Sequence, residues 1–289
     1  MSPVSERTSA TRSSLLRRAS LGALLLALPP VAFGCTQAIE NSLVYSPESY
    51  DESFDPTVRA GLPVETLRIK STEDAELTAY YIAPPKDARG PALLWLHGNG
   101  GNIADRVKKQ AKLQSELGVG VLAVDYRGYG LSTGDPSEDG LYADSQAAFD
   151  ALAARPDVDP KRIFVLGESL GGAVAIDLAT RRPVAGLVIS ASFTTLPEVA
   201  ALHYGFLSSF AQSRFDSINK VGKLSCPKLF VHGQNDDWIP PRMSRSLFDA
   251  SHAPKDLVFV PGAGHNDIRF EGALSDKMRT LVHRAPSRK

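Results

Sequence analysis

The chain has 289 residues, 43 % of them hydrophobic, enough to bury the core of one α/β domain of ordinary size. Lysine plus arginine and aspartate plus glutamate number 32 each, so the net charge is zero; no charge run marks a nucleic-acid surface or would steer a strongly ionic substrate. The two cysteines, Cys35 and Cys226, make neither a disulfide framework nor a zinc-ligand spacing.

Residues 1–35 read as a processing segment outside the fold. Arg7, Arg12, Arg17 and Arg18 form a basic n-region, residues 21–28 a short apolar h-region, and Ala32-Phe33-Gly34-Cys35 follows, the layout of a secretory signal. The apolar stretch 19–33 is broken by Pro29 and Pro30 and falls short of the ~20 residues that span a bilayer. Its Gly34-Cys35 end resembles a bacterial lipobox, which implies that Cys35 is lipidated and becomes the mature N-terminus. The implied location is the bacterial cell envelope, membrane-attached and facing out of the cytoplasm. An ordinary cleaved signal, giving a secreted or periplasmic protein, is the second reading and an uncleaved anchor the third.

Residues 36–63 are polar and Pro/Ser-containing and read as a tether or lead-in. Residues 64–70 and 76–83 follow as two antiparallel strands at a sheet edge. Residues 91–97 are nearly all apolar, as a strand buried on both faces requires. A helix is predicted over 104–117, a strand over 119–125, a helix around 141–154 and a strand over 163–166. After the helix that follows, residues 184–190 make another strand. Thr195 and Glu198 fit a capping box, and Leu196, Val199, Ala200, His203, Phe206, Leu207 and Phe210 then share one helical face. Strands over 229–233 and 257–261 and a helix near 273–284 complete the chain. Strands alternating with helices predict the α/β class, with a mostly parallel sheet covered on both faces.

The chemistry centres on Gly167-Glu168-Ser169-Leu170-Gly171, which stands between an apolar strand and a helix. Gly-x-Ser-x-Gly in that setting is a nucleophile elbow. The turn is too tight for side chains at Gly167 and Gly171. It lifts the Ser169 hydroxyl clear of the sheet and aims the Leu170 N–H at whatever the serine attacks.

A nucleophilic serine needs a base, and the base an orienting acid. Of six histidines, His265 alone follows the last strand in a Gly-flanked loop, from which it can reach Ser169. His97 and His232 end strands in His-Gly pairs and read as packing beside turns. His203 reads as packing, and His252 and His283 as exposed. Asp236 and Asp237 both stand past the strand 229–233 as candidate acids. Asp125 is a rival in principle, in a Asp-Tyr-Arg-Gly-Tyr-Gly segment that reads as a structural turn.

Together, Leu96-His97-Gly98-Asn99-Gly100-Gly101-Asn102, Asp125-Tyr126-Arg127-Gly128-Tyr129-Gly130, the elbow, His232-Gly233-Gln234-Asn235-Asp236 and Gly264-His265 resemble the α/β-hydrolase superfamily from about Val64 to the last helix. The closest likeness is to its membrane-associated acyl hydrolases: monoacylglycerol and lysophospholipid lipases and protein depalmitoylases. The resemblance implies an α/β-hydrolase domain over 64–289 with a short lid at about 191–223. It selects Asp236 over Asp237 as the acid, and it supplies the Asn99 N–H as the second oxyanion donor beside that of Leu170. Glu168 is then a hydrogen-bonding neighbour of the nucleophile and not a proton donor.

The expected activity is hydrolysis of a small-molecule ester or thioester by Ser169, His265 and Asp236 through an acyl-enzyme, with no cofactor and no metal. Two alternatives stand beside it: a peptidase or amidase on the same three residues, and a non-catalytic binding protein on the same scaffold. Haloalkane dehalogenases and epoxide hydrolases of this fold carry aspartate where this chain has Ser169.

Overall fold

The computed structural model describes residues 44–85, 89–205 and 213–284. The segment read as a signal, with Cys35, the expected tether as far as residue 43, and Phe206, Leu207 and Phe210 of the expected lid lie outside the described residues.

In chain order the elements are β1 (Ser46–Pro47), α1 (Pro56–Ala60), β2 (Glu65–Thr72), β3 (Ala75–Ile82), β4 (Gly90–Leu96), β5 (Gly100–Gly101), α2 (Ile103–Leu117), β6 (Gly120–Val124) and α3 (Glu138–Ala153). They continue with β7 (Val158–Glu168), α4 (Leu170–Arg181), β8 (Gly186–Ser190), α5 (Leu196–Tyr204), α6 (Ile218–Val221), β9 (Lys228–Gly233), α7 (Pro241–Ala250), β10 (Lys255–Val260) and α8 (Gly272–Arg284). Helix starts follow local chemistry: Asn102 caps α2 by accepting from the Ala104 and Asp105 N–H groups, and Ser137 caps α3 through the Gly140 N–H.

The eight-stranded sheet runs β10-β9-β8-β7-β4-β6-β3-β2. Only β3 opposes its neighbours; every other adjacent pair is parallel. The order turns around at β4, with β6, the next strand of this sheet in sequence, on one side and β7 on the other. That reversal opens a crevice past the carboxyl ends of β4 and β7, where folds of this type build their sites.

Two apolar cores flank the sheet. On one face Leu141, Phe149, Val174, Leu178, Met243 and Leu247 bring in α3, α4 and α7. On the other, Ile103, Val107, Leu113, Leu274 and Met278 bring in α2 and α8. Strands β4 and β6 are buried on both faces, which explains their unbroken apolar runs.

Two differences from the sequence reading stand out. The lead-in 36–63 is not a free tether along its described part: from Val44 onward it belongs to the same compact unit as the sheet. Tyr45 is buried in the core, and β1 pairs with β5 in a small parallel sheet. Polarity misled here, because single aromatics (Tyr45, Tyr50, Phe54) anchor a segment with no period of its own. The capping box at α5 is half formed. Thr195 Oγ1 accepts from the Glu198 N–H, but the Glu198 carboxylate turns to the Thr194 hydroxyl.

Candidate active site

The strand β7 ends at Glu168 and α4 begins at Leu170, so the whole turn is Ser169, held at φ 53°. This is a costly conformation for a residue with a Cβ, and it persists because its surroundings allow no other. A Cβ at Gly167 would lie 2.3 Å from the Gly171 carbonyl oxygen, and one at Gly171 would lie 2.1 Å from that of Leu96. Strand, turn, helix and the end of β4 therefore fit only with glycine at both positions. The Ser169 N–H donates to Ser190 O at 2.8 Å, tying the turn to β8.

His265 comes from the loop after β10. Its Nε2 lies 3.0 Å from Ser169 Oγ and its Nδ1 2.8 Å from Asp236 Oδ2. With Nδ1–H donating to the carboxylate, Nε2 is left to accept the serine proton. The Gly264 N–H bonds Asp267 Oδ2 at 2.9 Å, which fixes the loop just before the imidazole.

Asp236 follows β9 and is buried. Its Oδ1 accepts the N–H groups of Trp238 (3.0 Å) and Ile239 (2.8 Å). Its Oδ2 faces His265 and also His232 Nε2, at 3.0 Å. Burial alone would raise its pKa. The hydrogen bonds from His232, His265 and the Ile239 N–H outweigh that and hold it far below the ordinary carboxylate range. Asp237 instead lines the cavity above the site. Asp125 is buried away from His265: its Oδ1 takes the Ile103 N–H at 2.9 Å and lies 3.4 Å from His97 Nε2.

The Leu170 N–H belongs to the first turn of α4, where no intrahelical carbonyl can accept it. The loop after β4 runs against the nucleophile so closely that a Cβ on Gly98 would lie 3.3 Å from Ser169 Cβ. Asn99 follows in the cavity wall. Ser169, His265, Asp236, Leu170 and Asn99, each placed on the site by sequence reading, thus come from four loops to one point. Cys35 lies outside the described residues.

The cavity over Ser169 encloses about 780 Å³ and is lined largely by polar groups, among them Glu48, Arg106, Lys109 and Glu168. Glu168 pairs with Lys109 Nζ at 2.5 Å, and that ammonium also sits over the rings of Trp95 (5.3 Å) and Phe270 (5.1 Å). Trp238 also lines the cavity, and His203 of α5 stacks on it, ring centroids 3.9 Å apart, with its Nε2 2.8 Å from the Trp238 carbonyl. Among the described residues no three His, Cys, Asp or Glu side chains gather as metal ligands.

Sequence reading missed three of these features: the His232 contact with Asp236, the Lys109–Glu168 pair and the lead-in at the cavity wall. The first had a weak signal, since His232 and Asp236 lie four apart across a turn. The others join residues 59 and 53 positions apart and left no local trace.

Residues 89–218 match the family described as "Serine aminopeptidase, S33", and residues 210–289 match the one described as "PhoPQ-activated pathogenicity-related protein". An uncharacterized protein of Mycobacterium tuberculosis is 41 % identical over 215 residues, covering 73 % of this chain and 76 % of that one. The human alpha/beta hydrolase domain-containing protein 17B is 31 % identical over 219 residues, covering 76 % and 75 %. The crystal structure of the Pyrococcus furiosus esterase Pf2001 superposes with a TM-score of 0.69 at 19 % identity, over 84 % of this chain and 97 % of that one, a likeness of fold.

Proposed function

The chain belongs to the α/β-hydrolase superfamily, and from that premise we propose that it is a serine hydrolase cleaving carboxylic esters or thioesters of acyl or lipid-like character. The observation that carries this reading is the continuous relay from Ser169 Oγ to His265 Nε2 (3.0 Å) and from His265 Nδ1 to Asp236 Oδ2 (2.8 Å), at the foot of an accessible cavity.

Ser169 Oγ attacks the carbonyl carbon while its proton passes to His265 Nε2. The Leu170 and Asn99 N–H groups receive the charge that develops on the carbonyl oxygen. The imidazolium stays next to ionised Asp236 and returns the proton to the leaving alcohol or thiol. Water, deprotonated by the same imidazole, then releases the acid and restores the serine.

Ser169→Ala tests the mechanism. Hydrolysis of p-nitrophenyl butyrate should fall by about 10⁶-fold, the cost of losing a triad nucleophile, with folding intact and fluorophosphonate labelling gone. Unchanged turnover would refute it. The aminopeptidase description of the matching family favours one second reading, amide cleavage on the same residues. Faster turnover of aminoacyl p-nitroanilides than of acyl esters and thioesters would select that reading.

The same proposal places the enzyme on a bacterial envelope membrane through lipidated Cys35, facing out of the cytoplasm, with the polar lead-in from Thr36 giving it reach. The basic n-region, short apolar core and Gly34-Cys35 support it. Acyl chains contribute ~0.8 kcal/mol per buried CH₂, and one chain holds a protein only marginally, so the two or three chains of a bacterial lipoprotein would secure it. Expression of wild type and Cys35→Ser, followed by membrane fractionation and mass spectrometry of the mature N-terminus, tests the placement. Wild type recovered soluble, cleaved elsewhere and without acyl mass would leave ordinary secretion.

A further inference from the structure

The loop that carries Asn99 is poorly equipped to hold its own shape. Gly98, Gly100 and Gly101 surround Asn99, and Gly101 sits at φ 71°. Glycine loses more conformational freedom on ordering than any other residue, so a stretch with three of them is costly to hold in one shape. Yet an oxyanion donor acts only if it waits where the charge will appear, within about half an ångström.

The order comes from outside the loop. Ser46 and Pro47 pair as a parallel strand with Gly100 and Gly101. The Ser46 N–H donates to Asn99 Oδ1 at 3.0 Å, and the Tyr129 hydroxyl reaches the same oxygen at 3.2 Å. Asn102 Nδ2 donates to Glu48 O at 3.1 Å, and that carbonyl also accepts the Gly130 N–H at 3.0 Å. Arg106 closes the far side by donating to the Asn102 and Gly100 carbonyls. The lead-in is itself anchored at both ends. Tyr45 is buried in the core, and the Tyr80 hydroxyl meets that of Tyr50 at 2.8 Å.

We propose that residues 46–48 are positioning residues for catalysis, a strand brace that holds the loop 98–102 so that the Asn99 N–H meets the oxyanion. This rests on the serine-hydrolase reading above. The brace touches neither the Ser169–His265–Asp236 relay nor the Leu170 N–H, so its loss should weaken transition-state stabilisation and leave ground-state binding in place.

The test uses the full chain carrying Ser46→Pro, which removes one N–H from an already extended residue, and separately Asn102→Ser. Serine there still caps α2 but no longer reaches Glu48 O. Active sites are titrated with a fluorophosphonate, so that turnover is counted per competent enzyme. Each variant should lose about 10- to 100-fold in kcat on p-nitrophenyl butyrate, below the full cost of deleting an oxyanion donor, with KM within about twofold. Affinity for a trifluoromethyl ketone, whose hemiketal oxygen occupies the oxyanion position, should fall by the same factor. Val58→Ala, on the exposed face of α1 in the same lead-in, should match wild type.

Variants with wild-type kcat per titrated site would overturn the brace, whether or not their folded yield drops. A rise confined to KM would overturn it too. A wild type inert to ester and probe alike would instead bring down the serine-hydrolase reading, and the brace with it.

Discussion

His232 Nε2 lies 3.0 Å from Asp236 Oδ2, the same oxygen that receives His265 Nδ1 at 2.8 Å. The second imidazole is fully buried, with Nδ1 2.6 Å from Ser244 Oγ and Nε2 also 2.8 Å from Ile239 O. With Nδ1 accepting the Ser244 hydroxyl, its Nε2–H faces two acceptors, which holds His232 in place as a donor toward Asp236. Asp236 is thus oriented from behind before it orients His265.

The acid register follows. Asp236→Asn should lower kcat by about 10⁴-fold, because an amide that must donate toward His265 imposes the wrong tautomer. Asp237→Asn, whose side chain lines the cavity, should change kcat by less than about tenfold. Steady-state kinetics on one ester distinguishes the two; reversed effects would move the acid by one residue.

Asp236 also ties stability to pH. Its folded pKa is depressed by the hydrogen bonds it accepts, so its ionised form stabilises the folded state above the unfolded carboxylate value of about 3.9. That stability is lost as pH falls below about 3.9 toward the folded value. The melting-temperature gap between wild type and Asp236→Asn should accordingly be full near neutral pH and shrink as pH is lowered through about 4 to 3. Thermal melts across that range check it; a gap that widens on acidification would contradict the hydrogen-bond assignment.

Trp238 lines the cavity with His203 stacked on it, and the indole is 47 % exposed. Trp238→Ala should open that wall and raise kcat/KM for bulky esters relative to acetate by about tenfold, the scale of one or two methylene contacts. His203→Ala should shift the profile in the same direction and less, since the indole remains. A series of p-nitrophenyl esters of rising size reads the effect, and a uniform loss for every ester would assign the stack to packing alone.

Gly171→Ala should destabilise the fold by several kcal/mol, because its Cβ meets a backbone carbonyl that no rotamer change can move. At Gly100 nothing lies within 4 Å of a built Cβ, so Gly100→Ala should stay within about 0.5 kcal/mol of wild type. Urea unfolding of the two variants provides the comparison.

Much of the molecule is determined by local sequence. The apolar runs of β4, β6 and β7, the caps at Asn102 and Ser137 and the glycines around Ser169 each encode their own structure through contacts a few residues apart. The strand–turn–helix pattern marked Ser169, and a Gly-flanked loop after the last strand marked His265, because those features depend on backbone sterics that sequence carries directly. Other features depend on which loops the sheet brings together. The residues alone leave Asp236 and Asp237 side by side as acids, and only the family resemblance selects Asp236. The turn after β9 gives the physical reason, pointing that carboxylate at two imidazoles while Asp237 lines the cavity. Joining Ser46 to Asn99, or Lys109 to Glu168, required the strand order that sets β4 beside β7. A polar lead-in with three scattered aromatics has no period to read. It becomes part of the site only because the folded sheet offers it an unpaired glycine loop to hydrogen-bond.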